Sequence, residues 1–223
     1  MIKTEEDIVK SEDTEMIVMS KTIVTISREY GSAGREIGKK LAQELDVPFY
    51  DNEIITIAAK KSGYDEGIFE NADQRPAGSL LYSLSMFGAN AGAFDLPLND
   101  KVFLIQSDII REVSAQGGCV IVGRCADYVL KENPNCVKIF IHADLNTRID
   151  WAVRENDVPP EKAKETVRKI DKRRAAYYNY YTSLNWGSAE NYDLCINSAA
   201  LGVAGTVEVI RKFVETKEVG LKK

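Results

Sequence analysis

Between Thr22 and Leu45 the chain reads TIVTIS, then REYGSAG, then REIGKKLAQEL. Two glycines, Gly31 and Gly34, stand beside the charged residues Arg28, Arg35 and Glu36. A β-branched run ends in this loop, and the loop opens directly into an amphipathic helical pattern. That layout holds a phosphate: the loop N–H groups converge, and the helix N-terminus adds roughly half a positive charge. The strict phosphate-loop string is G-x-x-x-x-G-K-[ST]. Laid on Gly34-Arg35-Glu36, it puts Glu29 at the first glycine, Arg35 at the lysine and Glu36 at the metal-binding hydroxyl.

A second group of cations lies far along the chain. Pro159-Pro160 opens a long helix with an apolar stripe of Ala163, Val167, Ile170, Tyr177 and Tyr181. Arg174 falls on that stripe, with Lys172 and Arg173 beside it. It either snorkels or pairs with an acid, or it aims at a phosphate. Tyr177, Tyr178, Tyr180, Tyr181 and Trp186 read as packing more than as base stacking.

Composition limits what these residues can serve. The chain has 223 residues, 44% of them hydrophobic, enough for one sizeable core. A net charge of −5 gives no global basic field to draw it to nucleic acid or membranes. Its apolar runs are strand-sized and the N-terminus is acidic, which points to a cytoplasmic protein. The four cysteines are scattered, and Cys119, Cys136 and Cys195 read as small buried hydrophobes in strands. His142 is the only histidine, so a His-based metal site or a Ser-His-Asp triad is not expected.

The elements that must position the cations alternate strand and helix. Residues 1–20 form an acidic leader. After the loop, Ile37, Leu41 and Leu45 give a helix, Pro48-Phe49-Tyr50 a short strand ending at Asp51, and Glu53 to Lys61 a helix that Asn52 can cap and Ser62-Gly63 stops. Residues 64–100 read as an inserted flap or helical subdomain, in which Phe87 and Phe94 could serve a homodimer contact or a closing flap. A helix from Asn99 to Gly117-Gly118 follows, then buried strands at Cys119–Val122 and Val137–Ile141, a final buried strand at Tyr192–Asn197 and a closing helix from Gly202 to Val214. The pattern predicts an α/β fold, a parallel sheet with helices on both faces. Sites in such sheets lie beyond the carboxyl ends of the strands, where Ser27–Glu36, Asp51, Gly123–Asp127 and Ala143-Asp144 fall.

The segments VTISREYGSAGREIGKKLA (Val24–Ala42), PFYD (Pro48–Asp51), CVIVGRCADYVL (Cys119–Leu130), VKIFIHAD (Val137–Asp144) and KIDKRRAAYYNYY with WGSAENYDLCINS (Lys169–Ser198) occur in a telling order. In that order and spacing they resemble the cytidylate kinase-like branch of the phosphate-loop nucleoside monophosphate kinases. The resemblance spans about Ile23 to Phe213. It implies a three-layer, five-stranded parallel-sheet kinase domain over residues 21–223, with a nucleotide-binding insert at about 52–100 and a helical lid at about 155–185. It also implies transfer of the γ-phosphoryl group of ATP, with Mg²⁺, to a nucleotide or small phosphorylated acceptor. Gly31, Ser32, Ala33 and Gly34 would then cradle donor phosphates, with Arg28 and Arg35 gripping them and Glu36 meeting the metal. Asp51, Arg124 and Asp127 would bind the acceptor, and Arg173 and Arg174 would close from the lid. The chain departs from the pattern at Arg35 and Glu36, at Val122 where the kinases carry an acid, and at Tyr177 where they carry the acid that meets the cytosine nucleotide. These departures leave open a nucleotide-binding module without turnover, or a non-nucleotide acceptor.

Overall fold

The computed structural model describes residues 21–63, 66–67 and 97–221. The leader, the insert aromatics Phe87 and Phe94, and most of the expected flap lie outside the described residues. Strand β1 (Ile23–Arg28) is followed by helix α1 (Gly34–Glu44), β2 (Phe49–Tyr50), α2 (Glu53–Ser62) and α3 (Leu98–Ala115). Then come β3 (Cys119–Val122), the short α4 (Ala126–Val129), β4 (Cys136–His142), α5 (Leu145–Glu155), α6 (Pro160–Thr182), β5 (Leu194–Asn197) and α7 (Ser198–Leu221).

The five strands form one parallel sheet in the order β2-β3-β1-β4-β5. Strand β1 is central because it is apolar on both faces. Ile23 packs under α2 and α3, while Val24 and Ile26 pack under α1 and α7. Two core layers therefore flank the sheet, as the strand–helix alternation predicts. The register sets Ile26 against Val122 and Arg28 against Ile141, so the carboxyl ends of β1, β3 and β4 reach one edge together. Helix α1 buries Ile37 and Leu41 completely, and truncating either to Ala costs about 2–5 kcal/mol.

The structure corrects several local expectations. Strand β5 is an edge strand, not a buried one: only Ile196 of its four residues is buried, and Cys195 is exposed. An edge strand turns one face to water, which an apolar run cannot reveal. Asn52 has helical dihedrals (φ −71°) and makes no side-chain cap bond. The closing helix begins at Ser198 and runs to Leu221, with Gly202 breaking the helical dihedrals at φ 65°. Gly63, at φ 72°, does stop α2, its N–H bonding the Ala59 carbonyl. Among the described residues, no helix is long and apolar enough to cross a membrane.

Candidate active site

Two cavities open at the carboxyl edge of the sheet. One, of about 460 Å³, lies over the loop and is lined by Gly31, Ala33, Gly34, Glu36, Lys39 and Trp151 among others. Its neighbour, of about 530 Å³, is lined by Asp51, Arg124, Cys125, Arg173, Tyr177 and Trp186 among others. Both volumes suit a small ligand. Arg28, Arg35 and Arg174 line both cavities and so form the wall between them.

Local backbone geometry aims these side chains. Ala33 caps α1 in the left-handed region at φ 57°, which turns the chain from loop into helix. Beyond β3, Gly123, Arg124 and Cys125 are all left-handed, at φ 78°, 58° and 53°. Each non-glycine residue held there costs of order 1–3 kcal/mol. The turn brings Arg124 into the second cavity beside Cys125. Arg28 runs between the two loops: a Cβ at Gly34 would stand 2.6 Å from its Cβ, and one at Gly123 would stand 2.4 Å from its Nη1. The two glycines are thus the space through which Arg28 passes.

The charge balance is lopsided. Five guanidinium groups, Arg28, Arg35, Arg124, Arg173 and Arg174, face the second cavity, and Asp51 is the one carboxylate among its described lining residues. Asp51 is buried and takes the Arg35 Nε at 2.5 Å; this hydrogen bond and charge raise the Arg35 pKa. Burial pushes Arg174 down to about 9, with Arg28 adding to the fall and Asp171 and Asp51 opposing it. Burial also lowers Arg28 and Arg124. Cations that burial penalises and neighbouring cations repel will favour an anionic ligand between them.

The structure thus gathers Arg28, Arg35, Asp51, Arg124, Arg173 and Arg174 around one space. Gly31, Ala33, Gly34 and Glu36 lie on the other side of the wall. Ser32 is buried, its hydroxyl donating to the Glu29 carbonyl at 2.9 Å. Asp127 lies beneath the second cavity, where its Oδ2 accepts from the Tyr178 hydroxyl at 2.7 Å and burial raises its pKa. Lys172 faces out along a shallow groove of α6 instead of joining Arg173 and Arg174. The tyrosines pack as expected, Tyr181 stacking on Phe103 with centroids 4.1 Å apart. Tyr177 lines the cavity with its hydroxyl donating to Gln106 Oε1 at 3.4 Å.

Sequence reasoning placed Glu29 in the loop without a partner and missed Arg148 and Asp171. They form a nearly buried cluster behind the loop, with Arg148 Nη1 on Asp171 and Arg148 Nε 3.3 Å from Glu29. Asp171 had a legible signal, since it follows Val167 by four residues and precedes Arg174 by three on the same helix face. Arg148 carried none.

The loop N–H groups, with Arg28, Arg35, Lys39, Lys40 and Arg174, are a donor set suited to a chain of phosphates. No three His, Cys, Asp or Glu side chains gather as a metal cage among the described residues. Glu36 lines the first cavity and pairs with Lys40 at 3.6 Å. Mg²⁺ at phosphate sites takes one or two carboxylates plus substrate oxygens, and Glu36 fits as one such ligand.

The model of the cytidylate kinase-like family matches residues 23–200. The cytidylate kinase of Staphylothermus marinus is 25% identical over 153 residues, which cover 68% of this chain and 81% of that protein. The cytidylate kinase of Ignicoccus hospitalis is 23% identical over 193 residues, covering 86% and 99%. A crystal structure of an uncharacterized protein from Eubacterium ventriosum superposes with a TM-score of 0.66 at 26% identity, covering 87% of this chain and 98% of that one. Shikimate kinase from Bacteroides thetaiotaomicron reaches 0.50 at 13% identity over 87% and 98%, a likeness of fold alone.

Proposed function

The chain belongs to the cytidylate kinase-like family, and from that premise we propose that it transfers the γ-phosphoryl group of ATP to a nucleoside monophosphate or a related small phosphorylated acceptor. The observation that carries this reading is the shared wall: Arg28, Arg35 and Arg174 face a loop cavity on one side and an arginine-rich cavity on the other. Phosphoryl transfer needs two ligands in line with cations at the moving group.

In this reading the backbone of Gly31 to Gly34 cradles the donor phosphates, and Lys39 and Lys40 add charge at the cavity lip. Arg124 and Arg173 hold the acceptor phosphate. Arg28, Arg35 and Arg174 stabilise charge on the transferring group. Asp51 orients Arg35 through their hydrogen bond, so its contribution to the acceptor site is exerted through that guanidinium. Asp127 supports the acceptor side from below through Tyr178. Glu36 would hold Mg²⁺ beside the donor phosphates, where the ion supplies charge neutralisation. Residues 21–223 act as one kinase domain whose lid spans about 155–185.

The test is acceptor-dependent ADP release from ATP and Mg²⁺ across CMP, dCMP, UMP, AMP and GMP. Turnover with one of them, lost in Arg124→Ala, is the expected result. Release that ignores the acceptor would overturn the reading. One observation favours a second reading, a binder without turnover: Arg35 is turned towards Asp51, away from a purely donor-side grip. ATP raising the melting temperature with no ADP formed on any acceptor would select it.

A further inference from the structure

A carboxylate lining neither cavity joins the lid helix α6 to the phosphate loop. Asp171 Oδ1 accepts from the Tyr30 N–H at 2.7 Å, and its Oδ2 takes Arg148 Nη1. Arg148 also donates from Nε to the Ala143 carbonyl at 3.1 Å and reaches the Tyr30 carbonyl at 3.5 Å. Glu29 completes the set by accepting from the Ala143 N–H at 3.1 Å. The Arg148, Asp171 and Glu29 side chains are only 11%, 16% and 24% exposed. Four segments meet here: the end of β1, the loop, the start of α5 and the lid helix. The fit is close, since a Cβ on Gly31 would stand 2.3 Å from the Arg148 carbonyl oxygen.

The chemistry of the joint calls for a carboxylate. One group must accept from a backbone N–H and from a guanidinium together, and an ionised carboxylate has two acceptor oxygens for that. Asparagine offers one oxygen and would turn an N–H₂ group towards a cation. Arg174 lies one helical turn beyond Asp171, its Nη1 4.0 Å from the carboxylate. From there Nη1 donates to the Arg28 carbonyl at 3.0 Å, and the guanidinium lies 5.6 Å from the Tyr30 ring centroid. Docking Asp171 therefore places Arg174 in the wall between the cavities.

We infer that Asp171 is a positioning residue that couples the lid helix to the phosphate loop through Tyr30 N–H and Arg148, so that loop order and Arg174 placement rise and fall together. The inference rests on reading the two cavities as the halves of a phosphoryl-transfer site. Its first test needs no turnover. Amide hydrogen exchange is followed by mass spectrometry in the full-length, ligand-free protein for peptides covering residues 28–34 and 165–177. In Asp171→Asn both segments exchange faster together, by about tenfold or more. Arg148→Lys keeps a cation but loses the fork, and it gives the same reading should Asp171→Asn not fold.

The second test is kinetic. Asp171→Asn lowers kcat by about 10²-fold, the effect of misplacing a reacting geometry by about 1 Å, while KM for ATP stays within about threefold. Added to Arg174→Ala, it costs little more, because the two act as one unit. Faster exchange confined to residues 165–177, with the loop as in the wild type, overturns the inference and leaves Asp171 a structural residue. Wild-type protein with no acceptor-dependent turnover would instead overturn the phosphoryl-transfer reading, and the exchange result would still decide the coupling.

Discussion

The two cavities are built from different material. The loop cavity presents backbone and helix-borne lysines, with acids and bases mixed: Glu29, Glu36 and Glu155 stand among its cations. The neighbouring cavity presents side chains, five of them arginines, set among Tyr177, Tyr178 and Trp186. Main-chain N–H groups grip any phosphate alike, so the loop side recognises a chemical class. Guanidinium groups and aromatic rings fixed by tertiary contacts recognise a shape, so the proposed function puts the choice of acceptor in the second cavity. Arg28, Arg35 and Arg174 line both cavities, so the wall between them is where the proposed function is tested most directly.

Removing the wall gives the largest effect. Arg174→Ala is expected to lower kcat by about 10³-fold or more, as loss of a charge-stabilising arginine does in phosphoryl transfer, with melting temperature nearly unchanged. Coupled measurement of ADP release reads the first and differential scanning fluorimetry the second. A kcat within threefold of wild type would show that the two cavities do not share a reacting centre.

A smaller and one-sided effect is expected at Gly123. A methyl there meets Arg28 Nη1 at 2.4 Å, on a residue with φ 78°. Gly123→Ala should cost about 1–3 kcal/mol in chemical denaturation and raise KM for the acceptor more than KM for ATP. Equal rises in both would mean that Arg28 serves the donor as much as the acceptor, which blurs the contrast between the cavities.

The smallest effect concerns thiols. Cys125 lines the second cavity, and burial holds its pKa well above the ordinary value, with Asp127 adding to the rise. Cys195 is exposed on the edge strand. Burial also pushes Cys119 and Cys136 up to about 12 and about 11. At pH 7.5 a maleimide should therefore label Cys195 first, read by mass spectrometry of tryptic peptides. Raised thiol pKa values also set a pH window. Their contribution to stability is complete below about pH 9 and is lost as pH rises towards 12. Cys125 labelling as fast as Cys195 would show that the Cys125 thiol, buried in the structure, is reached through the second cavity.

Much of this protein was legible in its sequence, because the physics involved is local. β-Branched runs and helical periodicity report burial within a few residues, and they gave the alternating α/β order, the loop between β1 and α1, and the layered core. The carboxyl-edge rule then brought Arg28, Arg35, Asp51 and Arg124 to one place, and the helical stripe added Arg174. What the tertiary structure decided are pairings between distant residues, which no periodicity encodes. Arg35 turns to Asp51, 16 positions away, and the Tyr30 N–H meets Asp171 across 141. Arg148, a helix residue like any other in the string, becomes the buried cation behind the loop. Edge or centre is likewise a property of the assembled sheet, so Cys195 could be judged apolar from its neighbours and still face water. Sequence specified which groups could touch a phosphate; only the fold decided which of them hold one another in place.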